Sequence, residues 1–138
     1  MLEFNLFLID YWYFSVPLFF FIFLFAYSEM NKGGKKIEPN ELTRLVNKEN
    51  AILIDLRKKE DYENGHIMTA LNYPHQEFDN QMHELNKFKD RPIILVCDMG
   101  RNSANIGEKL KKAEFQETFR LNGGMMTWTQ ENLPVVQK

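Results

Sequence analysis

Cysteine is almost missing from this chain: Cys97 is the only one in 138 residues. A single thiol excludes an internal disulfide framework and fits a reducing compartment. Excess positive charge is missing too. Lys and Arg total 17 against 19 Asp and Glu, a net charge of −2, with no basic stripe for nucleic acid. Histidine is scarce. His75 and His83 have no cysteine or carboxylate partners at ligand spacing, so no metal is expected. Internal repeats are absent, and the only biased tract is rich in phenylalanine.

Formal charge is absent altogether from Tyr11 to Ser28, residues that include Leu18-Phe19-Phe20-Phe21-Ile22-Phe23-Leu24-Phe25-Ala26. As a helix this stretch covers roughly 27 Å, the hydrocarbon thickness of a bilayer. Tyr11, Trp12 and Tyr13 at one end and Tyr27 at the other suit the two membrane–water boundaries. Pro17 falls near the start, where a missing N–H is tolerable. A cleaved signal peptide wants positive charge before the run and small residues after it. Here Glu3 and Asp10 precede it, and Lys32, Lys35 and Lys36 follow. Residues 1–29 are therefore expected to form an uncleaved transmembrane anchor, contacting lipid through residues 11–28. Its N-terminus is expected outside, with the bulk of the chain in the cytoplasm. Residues 30–36 are expected as a basic flexible linker, and residues 37–138 as one globular domain.

The globular part alternates. Pro39-Asn40-Glu41 opens a helix with Leu42, Leu45 and Val46 on one face. Residues 51–56 and 92–96 read as strands buried on both faces. A helical turn around Glu60-Asp61-Tyr62 is expected to end at Gly65 in a left-handed conformation. Residues 70–73 are a weak strand candidate. Phe78, Met82, Leu85 and Phe88 mark another helix, as do Ile106, Leu110 and Ala113. Residues 117–121 form a short strand, and Gly123-Gly124 turns into a final helix with Met125, Met126 and Trp128. The predicted fold class is α/β, a mainly parallel sheet with helices on both faces. Ligands of such sheets bind beyond the carboxyl ends of the strands, where Cys97 falls.

Cys97 opens the loop Asp98, Met99, Gly100, Arg101, Asn102, Ser103, followed by a helix. Inward-pointing N–H groups of such a turn, together with the helix N-terminus, favour a thiolate and hold an anion beside it. Gly100 lets the main chain fold round the sulfur, and Ser103 is expected to cap the helix. Asp55 and Arg57, after a buried strand, are expected to brace loops through an ion pair. His66 reads as a hydrogen-bonded packing histidine, and Trp128 with Met125 and Met126 as core.

Asp55-Leu56-Arg57, Tyr62, Gly65-His66-Ile67 and Ala70-Leu71-Asn72 resemble the first signature of rhodanese domains. Cys97-x-x-Gly100-x-x-Ser103-Ala104 resembles the family's active-site loop. Asn122-Gly123-Gly124, Trp128 and Leu133-Pro134 are similar to its closing segment, so the likeness covers about residues 36–136. Single rhodanese domains behind one N-terminal helix occur in bacteria, and the chain looks like that type, at the cytoplasmic membrane. The resemblance implies a sulfurtransferase with Cys97 as nucleophile and its loop as anion cradle. Sulfane sulfur would pass from a donor such as thiosulfate to an acceptor, a small molecule or a protein thiol, without a cofactor. The family loop commonly carries arginine in sixth place. Here Asn102 is sixth and Arg101 fifth, and Asp98 adds negative charge that disfavours anionic donors.

A catalytically weak rhodanese-like binding module at the membrane is the alternative. A cysteine phosphatase or arsenate reductase needs Cys-x5-Arg to fork an arginine round an oxyanion, and that position is Ser103.

Overall fold

A computed structural model of the chain describes residues 1–30 and 32–137, and of Arg101 the main chain only. Asn31 of the expected linker, the C-terminal Lys138 and the Arg101 side chain lie outside the described residues. The chain forms two compact units, residues 1–31 and 32–138.

The first unit holds α1 (Leu2–Asp10) and α2 (Trp12–Met30). Tyr11 separates them with φ −113° and ψ 37°, yet its N–H still donates to the Phe7 carbonyl at 3.1 Å. The helical segment therefore begins well ahead of the expected residue 11. Pro17 lies inside α2, where no N–H is available to the Tyr13 carbonyl. With 19 residues and a mean hydropathy of 1.5, α2 is long and apolar enough to cross a membrane.

The second unit is a five-stranded sheet ordered β1-β5-β4-β2-β3, parallel throughout. Its strands are β1 (Lys35–Ile37), β2 (Ile52–Asp55), β3 (Leu71–Asn72), β4 (Ile93–Val96) and β5 (Thr118–Leu121). Between them run α3 (Pro39–Lys48), α4 (Lys59–Asn64), α5 (Phe78–Gln81), a 3-10 helix (Met82–Phe88), α6 (Arg101–Lys112) and α7 (Gly124–Gln130). Central β4 is buried along its whole length, which is why its sequence is a continuous apolar run. On one face, Leu42 and Leu45 of α3 and Met125 and Trp128 of α7 pack over Leu53, Ile94 and Val96. On the other, Phe78, Leu85, Ile106 and Leu110 pack over Ile54, Ile93 and Leu95. Each such buried side chain contributes about 1.5–3 kcal/mol.

Four local expectations change. Lys35 and Lys36, expected in a flexible linker, pair with Phe119 and Arg120 in edge strand β1. Gly33 and Gly34 ahead of them are buried, and the Gly33 N–H donates to Glu108 Oε1 at 2.7 Å. A Cβ on Gly107 would stand 1.9 Å from the Gly33 carbonyl oxygen, so this main-chain approach requires glycine. Secondly, Gly65 is extended (φ 162°, ψ 121°), not left-handed. It leads into an antiparallel bridge in which the His66 N–H donates to the Val136 carbonyl at 3.0 Å. Thirdly, the helix expected through Phe78 and Phe88 is one α turn followed by a 3-10 segment. Met82, Leu85 and Phe88 recur every third residue, which aligns them on one 3-10 face. Finally, Ser103 does not cap α6. Gly100 holds that position with φ 88°.

Candidate active site at the end of the central strand

Cys97 follows β4 directly and is 3% exposed. Its Sγ accepts the Gly100 N–H at 2.9 Å. Three features shape that contact. The positive φ of Gly100 reverses the chain within three residues of the sulfur. Ser103, 1% exposed, donates its hydroxyl to the Gly100 carbonyl at 2.9 Å and so pins the turn from outside. The start of α7 takes up the remaining carbonyls: Met125 N–H donates to Cys97 O at 2.8 Å and Met126 N–H to Asp98 O at 3.0 Å. Gly124, at φ 60°, has no room for a side chain here. A Cβ would lie 2.0 Å from the Cys97 carbonyl oxygen.

Asp55 and Arg57 form a forked pair, with Nη2 to Oδ2 at 2.7 Å and Nε to Oδ1 at 3.0 Å. Arg57 also donates to the Gly65 carbonyl at 2.7 Å, which ties the β2 exit to the end of α4. Asn72 donates to the carbonyls of Asp55 and Arg57 at 3.2 and 2.9 Å. These residues brace the loop beside Cys97. His66 stacks on Tyr62 at 3.8 Å between ring centroids and holds its Nδ1 2.7 Å from the Tyr62 carbonyl, a packing role. Trp128 is core and donates to the Pro134 carbonyl at 2.9 Å. Met126 and Met99, by contrast, are about half exposed, at 49% and 47%.

A cavity of about 190 Å³ lies beside Cys97. Cys97 and Leu56 line it with Arg57 and Lys58, the acids Asp61 and Asp98, and the polar His75 and Asn102. Both signs of charge line it, and its size admits a small molecule. Among the described residues no cluster of His, Cys, Asp or Glu is placed to hold a metal ion.

Sequence reasoning missed four residues of the cavity wall, Leu56, Lys58, Asp61 and His75. His75 and Lys58 reach the cavity from loops whose spacing carries no periodic signal. Outside the cavity, the burial of Arg120 on β5, 5% exposed, is also unannounced, because a charged residue in a short strand gives no hint of it.

A family model described as a rhodanese-like domain matches residues 38–131. The chain belongs to the rhodanese family. An uncharacterized protein of Escherichia coli strain K12, YibN, is 35% identical over 123 residues, covering 88% of this chain and 86% of that protein. The thiosulfate sulfurtransferase GlpE of Shewanella oneidensis is 26% identical, over 71% of this chain and 95% of that enzyme. The crystal structure of a rhodanese-related protein from Thermoplasma volcanium superposes with a TM-score of 0.68 at 23% identity. It matches 75% of this chain and 99% of that one. The parallel sheet flanked by helices is thus a rhodanese fold, preceded by one apolar helix of membrane-spanning length.

Proposed function

We propose that the chain is a membrane-tethered sulfurtransferase with Cys97 as its nucleophile. The observation that carries this is the Gly100 N–H aimed at Sγ, 2.9 Å away, beneath a cavity large enough for a small sulfur donor. The Cys97 thiolate attacks the sulfane sulfur of the donor. A new S–S bond forms at Cys97, the donor's own S–S bond breaks, and its electron pair leaves on sulfite or a thiolate. The persulfide is an anion whose terminal sulfur lies in the turn of residues 98–103, where main-chain N–H groups and the α6 N-terminus oppose its charge. An acceptor nucleophile, cyanide or a thiol, then attacks the terminal sulfur and returns the Cys97 thiolate.

Asp98 and Asp61 weaken binding of dianionic thiosulfate, while Arg57, Lys58 and His75 admit a donor of lower charge, such as an organic persulfide. Helix α2 anchors the domain through its lipid-facing aromatic surface. Acidic Glu3 and Asp10 before it, with Lys32, Lys35 and Lys36 after it, favour an orientation with the N-terminus outside and the domain in the cytoplasm.

The full chain in detergent, given thiosulfate and cyanide, is expected to release thiocyanate, and Cys97→Ser to release none. Equal turnover by the serine variant refutes the proposal. A tethered binding module is the second reading, favoured by the Asp98 charge at the cavity wall. It predicts no sulfur on Cys97 with any sulfane donor.

A further inference from the structure

His75 lies half-buried in the loop between β3 and α5, on the wall of the cavity that Cys97 also lines. Main-chain bonds across the sheet fix its place. The Leu56 N–H donates to the Val96 carbonyl, one residue before Cys97, at 2.7 Å. The Leu56 carbonyl in turn accepts the His75 N–H at 3.0 Å, and it lies 3.3 Å from His75 Nδ1. A carbonyl oxygen only accepts, so that contact puts the ring proton on Nδ1 and leaves a lone pair on Nε2. His75 makes no other side-chain hydrogen bond among the described residues.

The other described side chains of the cavity offer no comparable base. Arg57 is a donor forked onto Asp55, and Lys58 in its charged form is a donor as well. Asn102 carries a neutral amide, and Leu56 is apolar. Asp61 and Asp98 are carboxylates, a group too weakly basic to take a thiol proton near neutral pH. With Cys97, these are the charged and titratable groups that share the cavity with His75. Imidazole is the side chain matched to proton transfer near neutrality.

We propose that His75 is the general base of the second half-reaction, taking the proton of a thiol acceptor as its sulfur attacks the Cys97 persulfide. The assignment rests on Cys97 being the nucleophile. The S–H proton passes to Nε2, and the electron pair it leaves behind bonds the acceptor to the outer persulfide sulfur. The S–S bond to Cys97 breaks, and its pair returns to Sγ as the thiolate. The products are the acceptor's persulfide anion and an imidazolium, which releases its proton to solvent. Sulfite attacks through a sulfur lone pair with no proton to lose, so it needs no base.

The full chain in detergent is loaded with excess thiosulfate, freed of donor, and discharged in a single turnover by 2-mercaptoethanol or by sulfite. Intact mass follows the loss of sulfur. His75→Asn keeps a donor for the Leu56 carbonyl and lacks the base. From equally loaded protein, it is expected to discharge to the thiol about 100-fold more slowly near neutral pH, with a far smaller change for sulfite. The thiol defect should close in alkali, where the acceptor arrives already ionised. A packing role alone would slow both acceptors alike. Wild-type discharge to the thiol by folded His75→Asn, or equal slowing with both acceptors, overturns the assignment. If His75→Asn does not fold, His75→Gln is judged by the same ratio of thiol to sulfite rates. A wild type that takes up no sulfur refutes sulfur transfer and this assignment with it, whereas loaded protein without the thiol–sulfite contrast refutes the assignment alone.

Discussion

The Met125 N–H donates to the Cys97 carbonyl at 2.8 Å, so the first turn of α7 fixes the peptide that carries the nucleophile. The two residues are far apart in sequence, and Gly124 alone lets their main chains meet. Orientation of the loop therefore depends on a helix that lines up behind it.

Gly124→Ala tests that dependence. Its Cβ would clash with the Cys97 and Asp98 carbonyl oxygens in a conformation already unfavourable for alanine. We expect a loss of about 1–3 kcal/mol in chemical denaturation. Sulfur transfer should fall further than stability, because the loop moves first.

Asp55→Ala should remove about 3–5 kcal/mol, since Arg57, 9% exposed at its side chain, is left without its forked partner. Urea unfolding of the full chain in detergent measures it. A change below about 1 kcal/mol, the value of a surface pair, would contradict the bracing role.

Asp98→Asn should raise kcat/KM for thiosulfate about fivefold, the effect of removing roughly 1 kcal/mol of charge repulsion at the cavity. The gain should shrink with added salt and be smaller for a singly charged organic persulfide donor than for dianionic thiosulfate. Equal gains for both donors would show that the charge is not the cause.

Alkaline stability follows from two tyrosines. Burial, with Asp55 adding to it, holds the Tyr62 hydroxyl above its ordinary value, and burial with Glu84 does the same for Tyr73. Each group is protonated in the fold at a pH where the unfolded chain has lost the proton. Stability is therefore intact below about pH 10 and declines as pH rises from there. Tyr62→Phe should flatten part of that decline, at the cost of its hydrogen bond to the Ala70 carbonyl. Denaturant midpoints across that range check it.

Much of this was legible in the sequence. The runs at Ile52 and Ile93 announce buried parallel strands because apolar residues leave no alternation to misread. The Cys97 loop is legible because glycine after a strand and before a helix has few other uses. Edge strand β1 was not legible. Two of its three residues are exposed lysines, and what leads into it is the close approach of Gly33 to α6 and of Gly34 to Thr118 of β5, a tertiary fact. Arg120 was hidden for a related reason: its burial depends on β1 and α6 covering it, and neither shows in the sequence of β5. The residue type of Ser103 suggests a cap, whereas the turn at Gly100 starts the helix earlier and makes the hydroxyl a donor to the Gly100 carbonyl.

Intact-mass spectrometry after exposure to a sulfane donor, thiosulfate or an organic persulfide, tests the central claim most directly. The account predicts a gain of one sulfur atom on the wild-type chain, removed by cyanide or a thiol and absent in Cys97→Ser. A wild-type mass unchanged by every donor, or the same gain in the serine variant, would contradict it.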